Sequence, residues 1–149
     1  MAGILVDTNV LVYAHDRSES AKQHLAIGLL EALQGSALGR LPAQCLAEFF
    51  RATTRRVRPI LSVAEAREIV EDFIMSWTIF DTTAQIVQEA ARGVQDHRLA
   101  FYDAQIWASA RLNQALVIFS EDFAAGTSLE GVRFVNPFAT DFTLARWLD

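Results

Sequence analysis

The chain has 149 residues, 52% of them apolar, with ten Phe and three Trp, enough for one domain that buries roughly two thirds of its unfolded surface. No apolar run is long enough to span a bilayer, no basic leader precedes Ile4-Leu5-Val6, and Cys45 as the single cysteine excludes a disulfide framework and a Cys-built zinc site, so a cytoplasmic protein is expected. The net charge of −5 speaks against nonspecific nucleic-acid binding, yet twelve of the thirteen basic residues are Arg, and Arg51, Arg55, Arg56 and Arg58 lie close together.

Gly3 to Val6 has the continuous apolar character of a strand buried on both faces. It ends at Asp7-Thr8-Asn9, residues that favour turns and helix caps, and a short helix is expected through Val10 to Ala14. Ser18 or Ser20 can cap a second helix that ends near Gly35. Leu38 to Ala43 predicts a short strand, followed by a helix from about Gln44 to Val57 that Pro59 terminates. Ser62-Val63-Ala64-Glu65 matches a capping box and opens a helix to about Trp77. A weak strand at Trp77 to Phe80 precedes helices over about 84–95 and 102–113. Leu116 to Phe119 and Val132 to Val135 complete the strands. Strands alternating with helices predict a single α/β domain over 1–149, with a central, mostly parallel sheet whose carboxyl ends are where ligands bind.

Four acids stand out against that frame. Asp7 follows the first strand, and Asp122 lies three residues beyond Phe119, so both fall on one edge of the sheet. Glu48 sits in the apolar stretch Leu46-Ala47-Glu48-Phe49-Phe50, and Asp103 opens the apolar helix around Trp107. Structural roles account for each singly: Asp7 as a helix cap, Asp103 at a helix dipole, Asp122 or its neighbour Glu121 in a turn, Glu48 paired with Arg51 at i+3. Together they need a counter-charge, because each carboxylate raises the pKa of the others. A divalent ion supplies one. An oxygen-rich set without a His/Cys cluster suits Mg²⁺ or Mn²⁺ better than zinc.

In order, Val6-Asp7-Thr8-Asn9-Val10-Leu11-Val12-Tyr13-Ala14, Ala47-Glu48-Phe49, Tyr102-Asp103-Ala104 and Ser120-Glu121-Asp122-Phe123 resemble the PIN-domain family, and more narrowly the VapC-type toxins of toxin–antitoxin pairs. The tail Gly131-Val132-Arg133-Phe134-Val135-Asn136-Pro137-Phe138 is similar to one subgroup of them. The resemblance spans nearly the whole chain. It implies a three-layer α/β/α sandwich and a Mg²⁺- or Mn²⁺-dependent endoribonuclease that leaves 5′-phosphate and 3′-hydroxyl ends. It also implies a homodimer silenced by a VapB-type antitoxin. Carried over by motif, Asp7, Glu48, Asp103 and Asp122 are the catalytic and metal-holding acids, with Glu121 as the rival of Asp122. Thr8, Asn9 and Ser120 orient those carboxylates.

Other readings are weaker. A receiver domain wants a Lys after a late strand, and Lys22 comes far too early. An Asp-nucleophile phosphatase wants Asp two positions beyond Asp7, where Asn9 stands. The serious alternative keeps the fold as a catalytically silent module that binds RNA or the antitoxin. His15, His24 and His97 are expected at the surface or in loops, outside the chemistry. For RNA binding, a helix over 44–57 would carry Arg51 and Arg55 on the side of Glu48, either gripping a phosphate or forming structural ion pairs.

Overall fold

The computed structural model describes residues 3–124 and 126–148. Its centre is β1 (Ile4–Val6), buried at every position as a continuous apolar strand must be in a sheet covered on both faces. β1 pairs in parallel with β2 (Gly39–Pro42) on one side and β4 (Val117–Phe119) on the other. Beyond β2 lies β3 (Thr78–Phe80) and beyond β4 lies β6 (Val132–Val135), both parallel to their neighbours. Among the described residues only the two-residue edge strand β5 (Ser128–Leu129) runs antiparallel. The order β3-β2-β1-β4-β6-β5 grows outward from β1 in both directions. A crevice therefore opens at the carboxyl ends of β1 and β4.

Six helices flank the sheet: α1 (Thr8–Tyr13), α2 (Ser20–Gly35), α3 (Ala43–Thr54), α4 (Val63–Ser76), α5 (Ala84–His97) and α6 (Phe101–Leu112). The result is the expected α/β/α sandwich. Leu5, Val6, Leu11, Leu33, Phe49, Trp107, Phe119 and Phe134 fill its interior. α4 begins with the reciprocal capping box read from the sequence, Ser62 Oγ accepting from Glu65 N (3.1 Å) while Glu65 Oε1 accepts from Ser62 N (3.0 Å). A short 3-10 helix, Leu144–Trp147, follows the last strand.

Several boundaries differ from expectation for identifiable reasons. α1 starts at Thr8 instead of Val10, because Asp7 caps it and accepts from Thr8 N. Neither Ser18 nor Ser20 caps α2: Ser18 Oγ donates to Asp16 (2.6 Å) and Ser20 is the first helical residue. α3 stops at Thr54, not Val57. Pro59 cannot continue the helix, and Leu61 N donates back to Thr53 O (3.1 Å), turning the chain early. β5 and its hairpin were not foreseen, since two residues are too few to show a period. Their turn is Glu130-Gly131, both at positive φ (49° and 85°), as a two-residue hairpin loop requires. Glu130 then accepts both Nη2 contacts from Arg92 (2.9 Å each) and lies 2.7 Å from His97 Nε2.

Close packing of sheet against helix gives a stability test. A Cβ on Gly39 would lie 2.3 Å from the Trp77 ring, whereas one on Gly28, in the middle of α2, meets nothing within 4 Å. Gly39→Ala should cost about 1–3 kcal/mol through overpacking, and Gly28→Ala should add about 0.5–1 kcal/mol by relieving helix entropy. Urea unfolding of both variants checks this, and a neutral Gly39→Ala would show that β2 and Trp77 are not packed as described.

Candidate active site

The main chain brings the site together before any side chain is considered. Asp7 N donates to Phe119 O (3.0 Å), extending the β1–β4 ladder by one step, and Ser120 N donates to Val135 O (2.9 Å). Asp7 and Ser120 are thereby fixed at the carboxyl ends of adjacent central strands. α3, with Glu48 at its middle, and α6, with Asp103 in its first turn, bring their acids over the same edge. Asp7, Glu48, Asp103 and Asp122 all border one open cavity of about 620 Å³, together with Thr8 and Asn9.

Asp7 is only 4% exposed. Its Oδ1 accepts from Thr8 N (2.7 Å), and its Oδ2 accepts from Ser120 Oγ (2.7 Å) and from Asn9 Nδ2 (3.4 Å). Asp7 caps α1 and also borders the cavity. Ser120 Oγ also accepts from Asn9 Nδ2 (3.0 Å) and from Asp122 N (3.1 Å). Asn9 Nδ2 reaches Asp122 Oδ2 at 3.1 Å, and Thr8 Oγ1 donates to Glu48 Oε1 at 2.7 Å. Thr8, Asn9 and Ser120 thus hold three of the four acids in orientation.

Burial is the largest influence on Asp7, pushing its pKa from 3.8 up to about 6, with Asp122 and Glu48 adding repulsion against the hydrogen bonds from Ser120 and Thr8. Asp103 is shifted upward too, first by burial and then by Asp122 and Glu48. Among the described residues no hydrogen bond to the Asp103 carboxylate is found, so its oxygens face the cavity without a donor. Destabilised carboxylates around a shared space, one lacking donors, fit a hard cation.

Glu121 and Asp122 separate by direction. Glu121 turns away to Lys22 Nζ (2.9 Å) and the Tyr13 hydroxyl, and Lys22 lies 4.6 Å from the Tyr13 ring centroid. Asp122 remains on the cavity. Arg51 and Arg55 do not border it: Arg51 is exposed on the last turn of α3 and Arg55 is its exposed C-cap. Ala52 and Arg56, four and eight residues beyond Glu48, border the cavity instead, so the row of α3 that meets it is the i+4 row and not the one that carries Arg51 and Arg55. Arg51 pairs with no acid among the described residues, so Glu48 lacks the structural partner considered for it.

Sequence reasoning missed three contributors. Gln44, one turn before Glu48, donates to Tyr102 O (3.0 Å) and accepts from the buried Gln105 Nε2 (2.8 Å), linking α3 to α6. Its i−4 spacing from Glu48 was the available signal. Cys45 is fully buried with Sγ 4.0 Å from Asp7 Oδ1, and a carboxylate oxygen of Glu48 lies within 4.8 Å of both side chains. Burial pushes its thiol well up, so it stays protonated beside Asp7. Asp16 is buried, accepts from Ser18, and borders the cavity near Arg56. His15 is half-buried against Phe49, with centroids 5.5 Å apart, and burial lowers its pKa.

A mostly parallel α/β/α sandwich gathering carboxylates at the ends of its two central strands is a fold class that supports phosphoester chemistry. The PIN domain model matches residues 4–125, and the chain belongs to the PIN domain family. It is similar in fold to a chain of a toxin–antitoxin complex from Klebsiella pneumoniae, at 18% identity and TM-score 0.65 over 91% of this chain and 98% of that one. Mycobacterium tuberculosis VapC20, described as a toxin that cleaves the sarcin-ricin loop, matches at 19% identity and TM-score 0.64, covering 86% and 98%. A chain of the DNA-bound VapBC from Salmonella typhimurium matches at 16% and 0.60, covering 90% and 97%. No curated protein matches the chain.

The raised Asp7 pKa sets a pH dependence. Without divalent metal, the folded state binds the Asp7 proton more tightly than the unfolded one, so this contribution is present below about pH 4 and is lost as pH rises towards 6 and beyond, by about 3 kcal/mol. Asp7→Asn should remove that slope and leave the metal-free variant more stable than wild type at pH 7. Melting curves from pH 4 to pH 8 in a chelator check it, and parallel curves for the two proteins would contradict it.

Proposed function

We propose that this chain is a Mg²⁺- or Mn²⁺-dependent endoribonuclease, the toxin of a type II toxin–antitoxin pair. It would hydrolyse RNA phosphodiester bonds to leave 5′-phosphate and 3′-hydroxyl ends. The observation that carries the reading is the convergence of Asp7, Glu48, Asp103 and Asp122 on one cavity of a PIN domain. The toxin assignment is supported by the fold likeness to proteins described as toxins and toxin–antitoxin complexes.

Asp7, Glu48, Asp103 and Asp122 are the residues that would hold the ion, and Asp7 and Glu48 offer oxygens within 4.8 Å of each other. When bound, the ion supplies Lewis acidity that ionises a water at neutral pH and offsets charge on the scissile phosphate. Ser120 and Thr8 keep the Asp7 oxygens aimed into the cavity, and Thr8 does the same for Glu48. Asn9 fixes Asp122. Hydroxide attack on phosphorus breaks the bond to the 3′-oxygen, which leaves with a proton as the 3′-hydroxyl. No His borders the cavity among the described residues, so the carboxylates are the candidate proton acceptors.

A homodimer and a small VapB-type antitoxin with a basic segment that enters the acidic cavity complete the reading. A cytoplasmic location goes with it, and no described helix is long and apolar enough to cross a membrane.

Asp7→Asn and Asp103→Asn should each reduce RNA cleavage below detection while keeping the fold, and Ser120→Ala should weaken metal affinity by about 10–100-fold. Mg²⁺ or Mn²⁺ should raise the melting temperature of wild type more than of either Asp variant. Cleavage assays with mapping of the new ends, beside thermal shifts, decide the matter. Substantial activity in either variant would sink the assignment. Light scattering at micromolar concentration tests the dimer, and a monomer mass would count against it.

A further inference from the structure

A second cavity, of about 710 Å³, adjoins the acidic one and shares Asp16, Ser18 and Arg56 with it. Its character is different. Arg17, Arg56 and Arg58 border it, so three of the twelve Arg of an acidic chain face one trough beside the carboxylates. The arrangement follows from the early end of α3. Beyond Thr54 the chain leaves the helix, Pro59 prevents its resumption, and the bond from Leu61 N to Thr53 O closes a short loop that carries Arg56 and Arg58 outward. Arg17 approaches from the segment joining α1 to α2.

The acids on this trough do not neutralise it. Asp16 accepts from Ser18 N (3.0 Å) and Ser18 Oγ (2.6 Å), and meets Arg56 only at 3.9 Å. Glu65 is engaged in the capping box of α4, with its carboxylate held low first by Ser62 and last by Arg17. Arg17 and Arg58 form no ion pair within 4 Å among the described residues, and both are exposed. Side chains that fold alone leaves without partners, on a wall continuous with a phosphoester site, have the planar donor geometry for phosphate.

We propose that the trough bounded by Arg17, Arg56 and Arg58 is a phosphate-binding subsite that takes the single-stranded RNA backbone flanking the scissile bond. Arg56 stands at the junction of the two cavities and guides the strand from one to the other. Arg17 and Arg58 grip phosphates further out. The inference rests on the nuclease reading and extends it: an acidic protein then holds RNA through a local basic path, and longer strands bind better than a dinucleotide.

The test is fluorescence anisotropy of a labelled single strand of about 12 nucleotides, with the full chain in Ca²⁺ across a range of KCl, beside cleavage assays in Mg²⁺ and in Mn²⁺ on that strand and on a dinucleotide. Arg17→Ala and Arg58→Ala should each weaken binding of the strand about five- to tenfold at low salt. Each should flatten the slope of log affinity against log salt by about 0.7. Arg133→Ala is the control. Arg133 lies near the amino end of β6, the opposite sheet edge, stacked on Trp147, and its loss should change neither quantity. Unchanged affinity and slope in both Arg17→Ala and Arg58→Ala would overturn the subsite and leave the trough to a protein partner. Wild type that binds the strand in this Arg-dependent way yet cleaves nothing in either Mg²⁺ or Mn²⁺ would sink the nuclease reading while upholding the subsite.

Discussion

Burying one carboxylate at the end of the central strand is the constraint on which the remaining geometry depends. Asp7 has no room to solvate itself, because β1 is covered on both faces and its last residue, Val6, is fully buried. Isolated, an ionised carboxylate there would be prohibitive. The chain answers with donors from Thr8 N, Ser120 Oγ and Asn9 Nδ2, yet burial still outweighs them and the pKa stays up near 6. The residual instability is what a cation at this place would relieve.

Ser120 carries more of that arrangement than its size suggests. One hydroxyl donates to Asp7 and accepts from both Asn9 and the main chain of Asp122, so α1 and the loop after β4 share a single junction. The neighbouring Glu121 ties the same loop to Lys22 and Tyr13, with Phe138 packed edge-on against Tyr13 at 5.1 Å. Two consecutive acids therefore take opposite tasks: one anchors the loop and the other presents oxygen to the cavity.

Charge is distributed by place rather than by total. A net −5 chain would repel a polyanion if its charges were spread evenly, but Asp7, Glu48, Asp103 and Asp122 border one cavity and Arg17, Arg56 and Arg58 stand on the adjoining wall. The far side shows the contrast. There Arg92 and Arg111 are paired with Glu89 and Glu130 in a network that pins the β5–β6 hairpin to α5 and α6.

By itself the sequence determined the alternation of strands and helices, the buried β1 with Asp7 at its end, the Ser62–Glu65 cap and the order of the four acids, because periodicity, capping and turn chemistry act over a few residues. It could also narrow the fourth acid to Glu121 or Asp122. Only the tertiary structure shows that Asp122 borders the cavity while Glu121 is drawn off to Lys22, a residue about a hundred positions away. The same holds for Cys45 beside Asp7, for Gln44 bridging to Gln105, and for Arg56 in place of Arg51 and Arg55 at the cavity. Helical spacing puts Arg51 and Ala52 on either flank of Glu48, and only Ala52, on the i+4 row, borders the cavity. Which row of α3 meets the cavity depends on how that helix is set against α1, as in the bond from Thr8 Oγ1 to Glu48 forty positions away, and that contact exists only once the chain has folded over itself.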